Sequence, residues 1–166
     1  MLKRDRDLEG RRHEIWIRRG LFTLLPIVVV LAVLNVFGHR PVGSTKSASA
    51  ATLNVSAPMR VRGGVLFEAR FHVTAQSELE KAALVLGPGW LESMTINTIE
   101  PAPVEEASDD GNLRLELGHI AAGKSYLLFM QFQVNPTNVG HRSTPVRLLD
   151  GDTQLLSIDR SITIFP

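Results

Sequence analysis

Three histidines, His72, His119 and His141, are the side chains of residues 41–166 best suited to acid–base or metal chemistry. Their spacings of 47 and 22 residues match no metal-ligand pattern. No G-x-S-x-G, H-E-x-x-H or phosphate-cradling glycine loop accompanies them. His72 falls on the polar side of an alternating run, His119 at a turn and His141 in a loop, so all three are expected to be solvated. Carboxylates gather at Glu105, Glu106, Asp109 and Asp110, with Asp150 and Asp152 further on. Such oxygens suit Ca²⁺, but the D-x-D-x-D-G register of a calcium loop is missing, so a solvated loop and a hairpin turn are expected instead. The sequence has no cysteine, which removes disulfides, cysteine zinc sites, iron–sulfur clusters and thiol nucleophiles together. No catalytic residue, metal site or cofactor is expected, and the chain reads as a non-enzyme.

Contact chemistry is the other route to function. Trp90, in Gly87-Pro88-Gly89-Trp90-Leu91, is the lone tryptophan of residues 41–166. Such a ring either plugs the space between two sheets or stacks on a sugar, and carbohydrate sites usually need further aromatics. Leu127 and Phe129 lie on the side of a strand that should be wet, where neighbouring apolar side chains favour a protein contact. The segment 101–107 could equally cover them. Leu127, Phe129 and Trp90 are therefore the candidate interaction residues. The Asn54-Val55-Ser56 sequon has meaning only in a eukaryotic secretory pathway.

The elements that must position these residues show period two and no long helical spacing after residue 52. In residues 65–74, Val65, Phe67, Ala69, Phe71 and Val73 alternate with Glu68, Arg70, His72 and Thr74, giving a dry and a wet face. In residues 126–134, Tyr126, Leu128, Met130, Phe132 and Val134 share the dry face. Tyr126 is read either as a corner tyrosine bonding across the sandwich or as a plain core residue. Shorter runs cover 53–56, 83–86, 94–99, 113–117 and 145–149, and the last covers 154–164. Gly63-Gly64, Gly87-Pro88-Gly89, Asp110-Gly111, Ala122-Gly123, Asn135-Pro136 and Asp150-Gly151 fall between them. The fold expected is all-β, an immunoglobulin-like β-sandwich of seven or eight strands over residues 52–166.

Ahead of it stands LFTLLPIVVVLAVLNVF, residues 21–37, without a charge. At about 1.5 Å per residue this covers some 25 Å, so flanking residues must complete a ~30 Å hydrocarbon core. The transmembrane helix is assigned to residues 21–38, with Trp16, Leu21 and Phe37 as membrane anchors. Pro26 and Asn35 are the interruptions, read as tolerated near the interfaces or as helix–helix contacts. Seven Lys or Arg precede the run and only Arg40 and Lys46 follow it shortly, which places the N-terminus inside. Residues 1–40 carry net charge +4 and residues 41–166 net −3, consistent with two different surroundings. Ala48-Ser49-Ala50 offers a cleavage pattern, but it lies too far beyond the apolar run for an ordinary signal peptide. An uncleaved signal anchor with a basic cytoplasmic tail over 1–20 is expected. Residues 39–51, small and polar, are expected to form a flexible linker.

Arg62-Gly63-Gly64-Val65 running into a long alternating strand resembles the CARDB-like bacterial surface β-sandwiches. So does Leu117-Gly118-His119-Ile120-Ala121-Ala122-Gly123-Lys124-Ser125-Tyr126 opening another strand. The resemblance covers residues 52–166 and implies an accessory or adhesion-related module without catalytic residues. Thr74-Ala75-Gln76-Ser77 stands where an asparagine-rich segment is usual in that family, and this chain carries a single copy behind a membrane anchor.

At 166 residues and net charge +1, the chain suits one domain plus extra length, and no strong field favours nucleic acid. The expectation is a single-pass cell-membrane protein, N-terminus cytoplasmic, C-terminal domain extracytoplasmic. It would act as an accessory or protein-interaction module at the cell envelope, with the lipid bilayer and an integral-membrane or envelope protein as partners. A small-molecule ligand is not expected. The alternative is an envelope polymer or carbohydrate binder using Trp90 and the acidic loops.

Overall fold

The computed structural model describes residues 12–34 and 39–166, in two units that separate between Gly38 and His39. The first unit is helix α1, Arg12–Val33, 22 residues that rise about 33 Å. Its stretch His13–Val33 is long and apolar enough to cross a membrane. The helix begins well before the expected Leu21, so Trp16 and Arg19 share it with Leu21, and the Arg19 guanidinium lies 5.8 Å from the Trp16 ring. Pro26 sits inside the helix, and Thr23 Oγ1 donates back to the carbonyls of Arg19 and Gly20. Phe37, Gly38 and Asn35 fall outside the described residues.

Strands make up the second unit: β1 Pro41–Ser47, β2 Ala51–Pro58, β3 Arg60–Arg62, β4 Leu66–Ala75, β5 Leu79–Leu86, β6 Met94–Glu100 and β7 Glu105–Asp109. They continue as β8 Asn112–Ile120, β9 Ser125–Val134, β10 Gly140–Ser143, β11 Val146–Asp150, β12 Thr153–Ile158 and β13 Ser161–Phe165. One sheet has the order β1-β2-β4-β9-β6, a second β12-β11-β5-β8-β7, and a small third β10-β13-β3. The two large sheets face each other across one core, and the chain crosses directly between them at β4–β5, β5–β6, β6–β7 and β8–β9. This is the expected immunoglobulin-like β-sandwich. The thirteen strands among the described residues exceed the seven or eight expected because β1, β3, β7 and β10 are short or polar and carry no alternation that the sequence displays, and because the run 154–164 forms two strands.

The two long alternating runs keep their predicted faces. Phe67, Ala69, Phe71 and Val73 of β4 and Leu128, Met130, Phe132 and Val134 of β9 point into the core. From the opposite sheet come Leu84, Leu86, Leu115, Leu148, Leu156 and Ile158. Tyr126 packs against the same core, and burial raises its phenol above the ordinary tyrosine value. The run 154–164 divides in two at Asp159-Arg160, because β13 leaves the second sheet to pair with β10 and, in parallel, with β3. The acidic loop is instead the β7–β8 hairpin, closed by Asp110 and Gly111 at φ +48° and +75°. Glu105 and Glu106 belong to β7 at a sheet edge, where charge opposes pairing with another chain. His119 lies within β8 and His141 within β10, not in a turn and a loop as expected.

The flexible linker expected over residues 39–51 is also corrected. Residues 41–47 pair with β2 over their whole length, from Pro41 opposite Pro58 to Ser47 opposite Thr52. Arg160 supplies the reason. It is 6% exposed, and its guanidinium donates to the carbonyls of Val42 (3.0 Å), Val55 (3.0 Å) and Ala57 (2.7 Å) and to Ser44 Oγ (2.5 Å). Burial pulls the group below the ordinary arginine range, yet it stays a cation at any physiological pH. Lys46 Nζ adds a bond to the Ser157 carbonyl. Three residues of β1, Val42, Ser44 and Lys46, thus reach partners that are over one hundred positions away.

Removing that cation should expose its importance. Arg160→Met should lower unfolding free energy by about 2–4 kcal/mol, since acceptors that are buried with the guanidinium lose their donor. Hydrogen exchange should show β1 amides losing protection before those of β4 and β9. Uniform loss across all strands would show that Arg160 does not act through β1.

Candidate functional site

Trp90 ends a single 3₁₀ turn, Pro88–Trp90, and is 2% exposed. Its ring lies 5.6 Å from that of Phe71 and 5.3 Å from that of Phe132, while Nε1–H donates to the Thr144 carbonyl at 3.1 Å. Gly89 permits this seat, since a Cβ there would stand 2.0 Å from the Ser143 carbonyl oxygen. Trp90 is therefore a core plug, and its place among the interaction residues is withdrawn along with a sugar-stacking role.

Leu127 and Phe129 do reach the surface. Both project from β9 on the outer face of the first sheet, where β4 lies alongside with His72 opposite Leu127 and Arg70 opposite Phe129. Leu127 is 41% exposed. Phe129 is half-buried, because the Arg70 guanidinium lies 5.5 Å from its ring centroid and Glu100 of β6 stands opposite on the other side. Arg70 is in turn ion-paired to Glu68, two residues along the same face. The segment 101–107 does not cover these residues. Its Val104 N–H donates to the Glu116 carbonyl at 2.7 Å, which attaches it to the second sheet.

Two shallow hollows share Glu68. One of about 300 Å³ is bordered by Glu68, Thr98, Glu100, Phe129 and Gln131. The other, of about 390 Å³, is bordered by His39, Pro41, Ser56, Pro58, Leu66 and Arg70, and Glu68 touches both. The face thus offers an aromatic ring, an exposed leucine, a cation, carboxylates and amide side chains within a few strands. Such a mixture can hold a protein surface through an apolar centre and a polar rim. β6 has β9 as its sole neighbour among the described residues, so its outer backbone edge borders the same face.

The other chemistry-bearing residues are dispersed. His72, His119 and His141 belong to three different sheets; His119 Nε2 meets Glu78 Oε1 at 2.8 Å and His141 Nδ1 meets Thr163 Oγ1 at 3.2 Å. Asp150 accepts the N–H of Lys81 in the neighbouring β5, and β5 and β8 separate β11 from β7 in the sheet. Glu68, Arg70 and Glu100 were missed as functional candidates, because each is an ordinary wet-face residue until the β4–β9–β6 register sets it beside Phe129.

No protein-family model matches this chain, and no curated protein matches it in sequence. Among solved structures, the chain is similar to the CARDB domain of a Pyrococcus furiosus protein, determined in complex with di-metal ions. The identity is 12%, coverage 76% of this chain and 96% of that one, and the TM-score 0.40. It is similar to CaCohA2 from Clostridium acetobutylicum at 10% identity, covering 72% and 93%, with TM-score 0.49. A non-cellulosomal cohesin from the archaeon Archaeoglobus fulgidus gives 10%, 76% and 92%, with TM-score 0.42.

Truncation should separate plug from surface. Trp90→Ala should cost about 3–5 kcal/mol and melt early, whereas Phe129→Ala should cost about 1 kcal/mol or less. Thermal melts of the detergent-solubilised chain, followed by far-ultraviolet circular dichroism, check both. Equal losses would contradict the assignment of Phe129 to the surface.

Proposed function

We propose that this chain is a single-pass membrane protein, N-terminus inside, whose β-sandwich is displayed outside as a non-enzymatic interaction module for a protein of the cell envelope. The observation that carries the reading is the outer face around Phe129, where Leu127 and the Arg70–Glu68 pair surround an aromatic ring on a sheet whose core is already closed by Trp90. The membrane half rests on α1 and on the surplus of Lys and Arg ahead of the uncharged run 21–37. Confinement to the membrane plane raises the effective concentration of the face toward neighbours, so a modest contact becomes occupied. The helix can contribute a second contact to the same partner within the bilayer.

Because the sequence has no cysteine, single engineered cysteines report topology cleanly. An impermeant maleimide added to intact cells should label Lys124→Cys and should reach Lys3→Cys only after permeabilisation; the reverse pattern would invert the orientation. For the contact itself, a photo-crosslinking residue at Leu127 should give one dominant adduct with an envelope protein, lost in Arg70→Glu. The same probe at Lys124 should give none. Adducts at both positions, or loss on replacing α1 with a foreign apolar helix while Arg70→Glu has no effect, would move the contact away from the Phe129 face.

A further inference from the structure

Four of the seven exposed large apolar side chains in residues 39–166 lie at one end of the sandwich: Met59, Leu66, Val139 and Phe165, each 39–49% exposed. The register brings them together. Phe165 is opposite Arg62, the Gly63 N–H donates to the Phe165 carbonyl at 2.8 Å, Thr163 N–H donates to the Met59 carbonyl, and Ile164 is opposite Gly140. Arg60 and Arg62 project exposed from β3 among them. Glu92 is engaged with Arg142 at 3.2 Å and Glu68 with Arg70, while Arg62, exposed, donates through Nε to the Pro166 carbonyl at 3.2 Å. A domain of net charge −3 therefore has one end that is apolar and basic.

The chain enters the domain at this same end. Pro41 is opposite Pro58, immediately before Met59, and His39 and Pro41 border the hollow that Leu66 also lines. Only residues 35–40 stand between Leu34 and β1, and six residues span about 20 Å even when fully extended. With β1 held along β2 and by Arg160, no linker provides additional reach.

We infer that the Met59/Leu66/Val139/Phe165 end, with Arg60 and Arg62, docks on the headgroup layer of the bilayer that α1 crosses, taking anionic lipid phosphates at the two arginines. This rests on the membrane reading of α1 given above. Exposed apolar side chains beside guanidinium groups match the interfacial layer, which accepts the former in its acyl boundary and pairs the latter with phosphate. The contact would hold the sandwich in a fixed attitude, leaving the Phe129 face directed along the membrane plane toward partners there.

The full chain, reconstituted into phosphatidylcholine vesicles with or without phosphatidylglycerol, tests this with an environment-sensitive fluorophore on single cysteines and a quencher carried on lipid. Three positions are compared: Val29→Cys in α1, Val139→Cys at the docking end, and Lys124→Cys at the opposite end of β4–β9. The Val29 label should be quenched in both vesicles. The Val139 label should shift to the blue and lose emission, several-fold more with phosphatidylglycerol present, while the Lys124 label stays as in water. Arg60→Glu with Arg62→Glu should abolish the phosphatidylglycerol dependence. Quenching at Val29 with a Val139 label as wet as that at Lys124 would overturn the docking alone. An unquenched Val29 label would overturn the membrane reading and the docking with it. A Val139 shift that persists in detergent and grows with protein concentration would assign the end to a second copy of the chain.

Discussion

A cation buried without a carboxylate decides how this domain is put together. Arg160 donates to three main-chain carbonyls and one hydroxyl, drawn from β1 and β2, while its own backbone carbonyl accepts the Thr144 N–H. Carbonyl dipoles substitute for water around the guanidinium, which is tolerable only if all of them stay in place. The constraint acts on three things at once. It seats β1 on the edge of the first sheet, interrupts the last alternating run so that β13 can leave the second sheet, and ties the close of the chain to the strand that follows α1.

From that arrangement comes the polarity of the whole module. Here β1 is part of the sheet, so the end at which the chain arrives is fixed in the fold. The opposite edge strands are treated differently by the sequence. β7 carries Glu105, Glu106 and Asp109 along its length, which disfavours edge-to-edge pairing, whereas β6 reads Met-Thr-Ile-Asn-Thr-Ile-Glu and has one charge at its end. The neutral edge is the one that borders the Phe129 face.

Much of this was legible from residue order. Alternation in 65–74 and 126–134 gave the right inward faces because a residue of period two needs only its neighbours to be read. The Asp-Gly hairpins at 110–111 and 151 were legible for the same local reason, since Gly111 and Gly151 take positive φ. What could not be read is whatever depends on distant partners. β1 looks like linker because Pro41, Gly43, Ser44, Thr45 and Ser47 bury little themselves; it is a strand because β2 and Arg160 bind it. The outer face around Phe129 was half visible, since Leu127 and Phe129 break their own alternation. Arg70 became part of it only through a register spanning almost sixty positions, which no local pattern encodes.

Phe129 and Trp90 show how one chain can use aromatics for opposite purposes. Trp90 is enclosed by Phe71 and Phe132 and has its only polar atom satisfied by Thr144, so nothing of it is left for a partner. Phe129 has one ring face on the sheet and the other against a guanidinium that can itself turn toward solvent. Moving Arg70 aside would uncover ring surface at the cost of one exposed cation–π contact and one exposed ion pair, each worth about 1 kcal/mol or less. A partner offering a carboxylate to Arg70 and an apolar side chain to Phe129 replaces both losses, and it does so without disturbing the core that Trp90 closes.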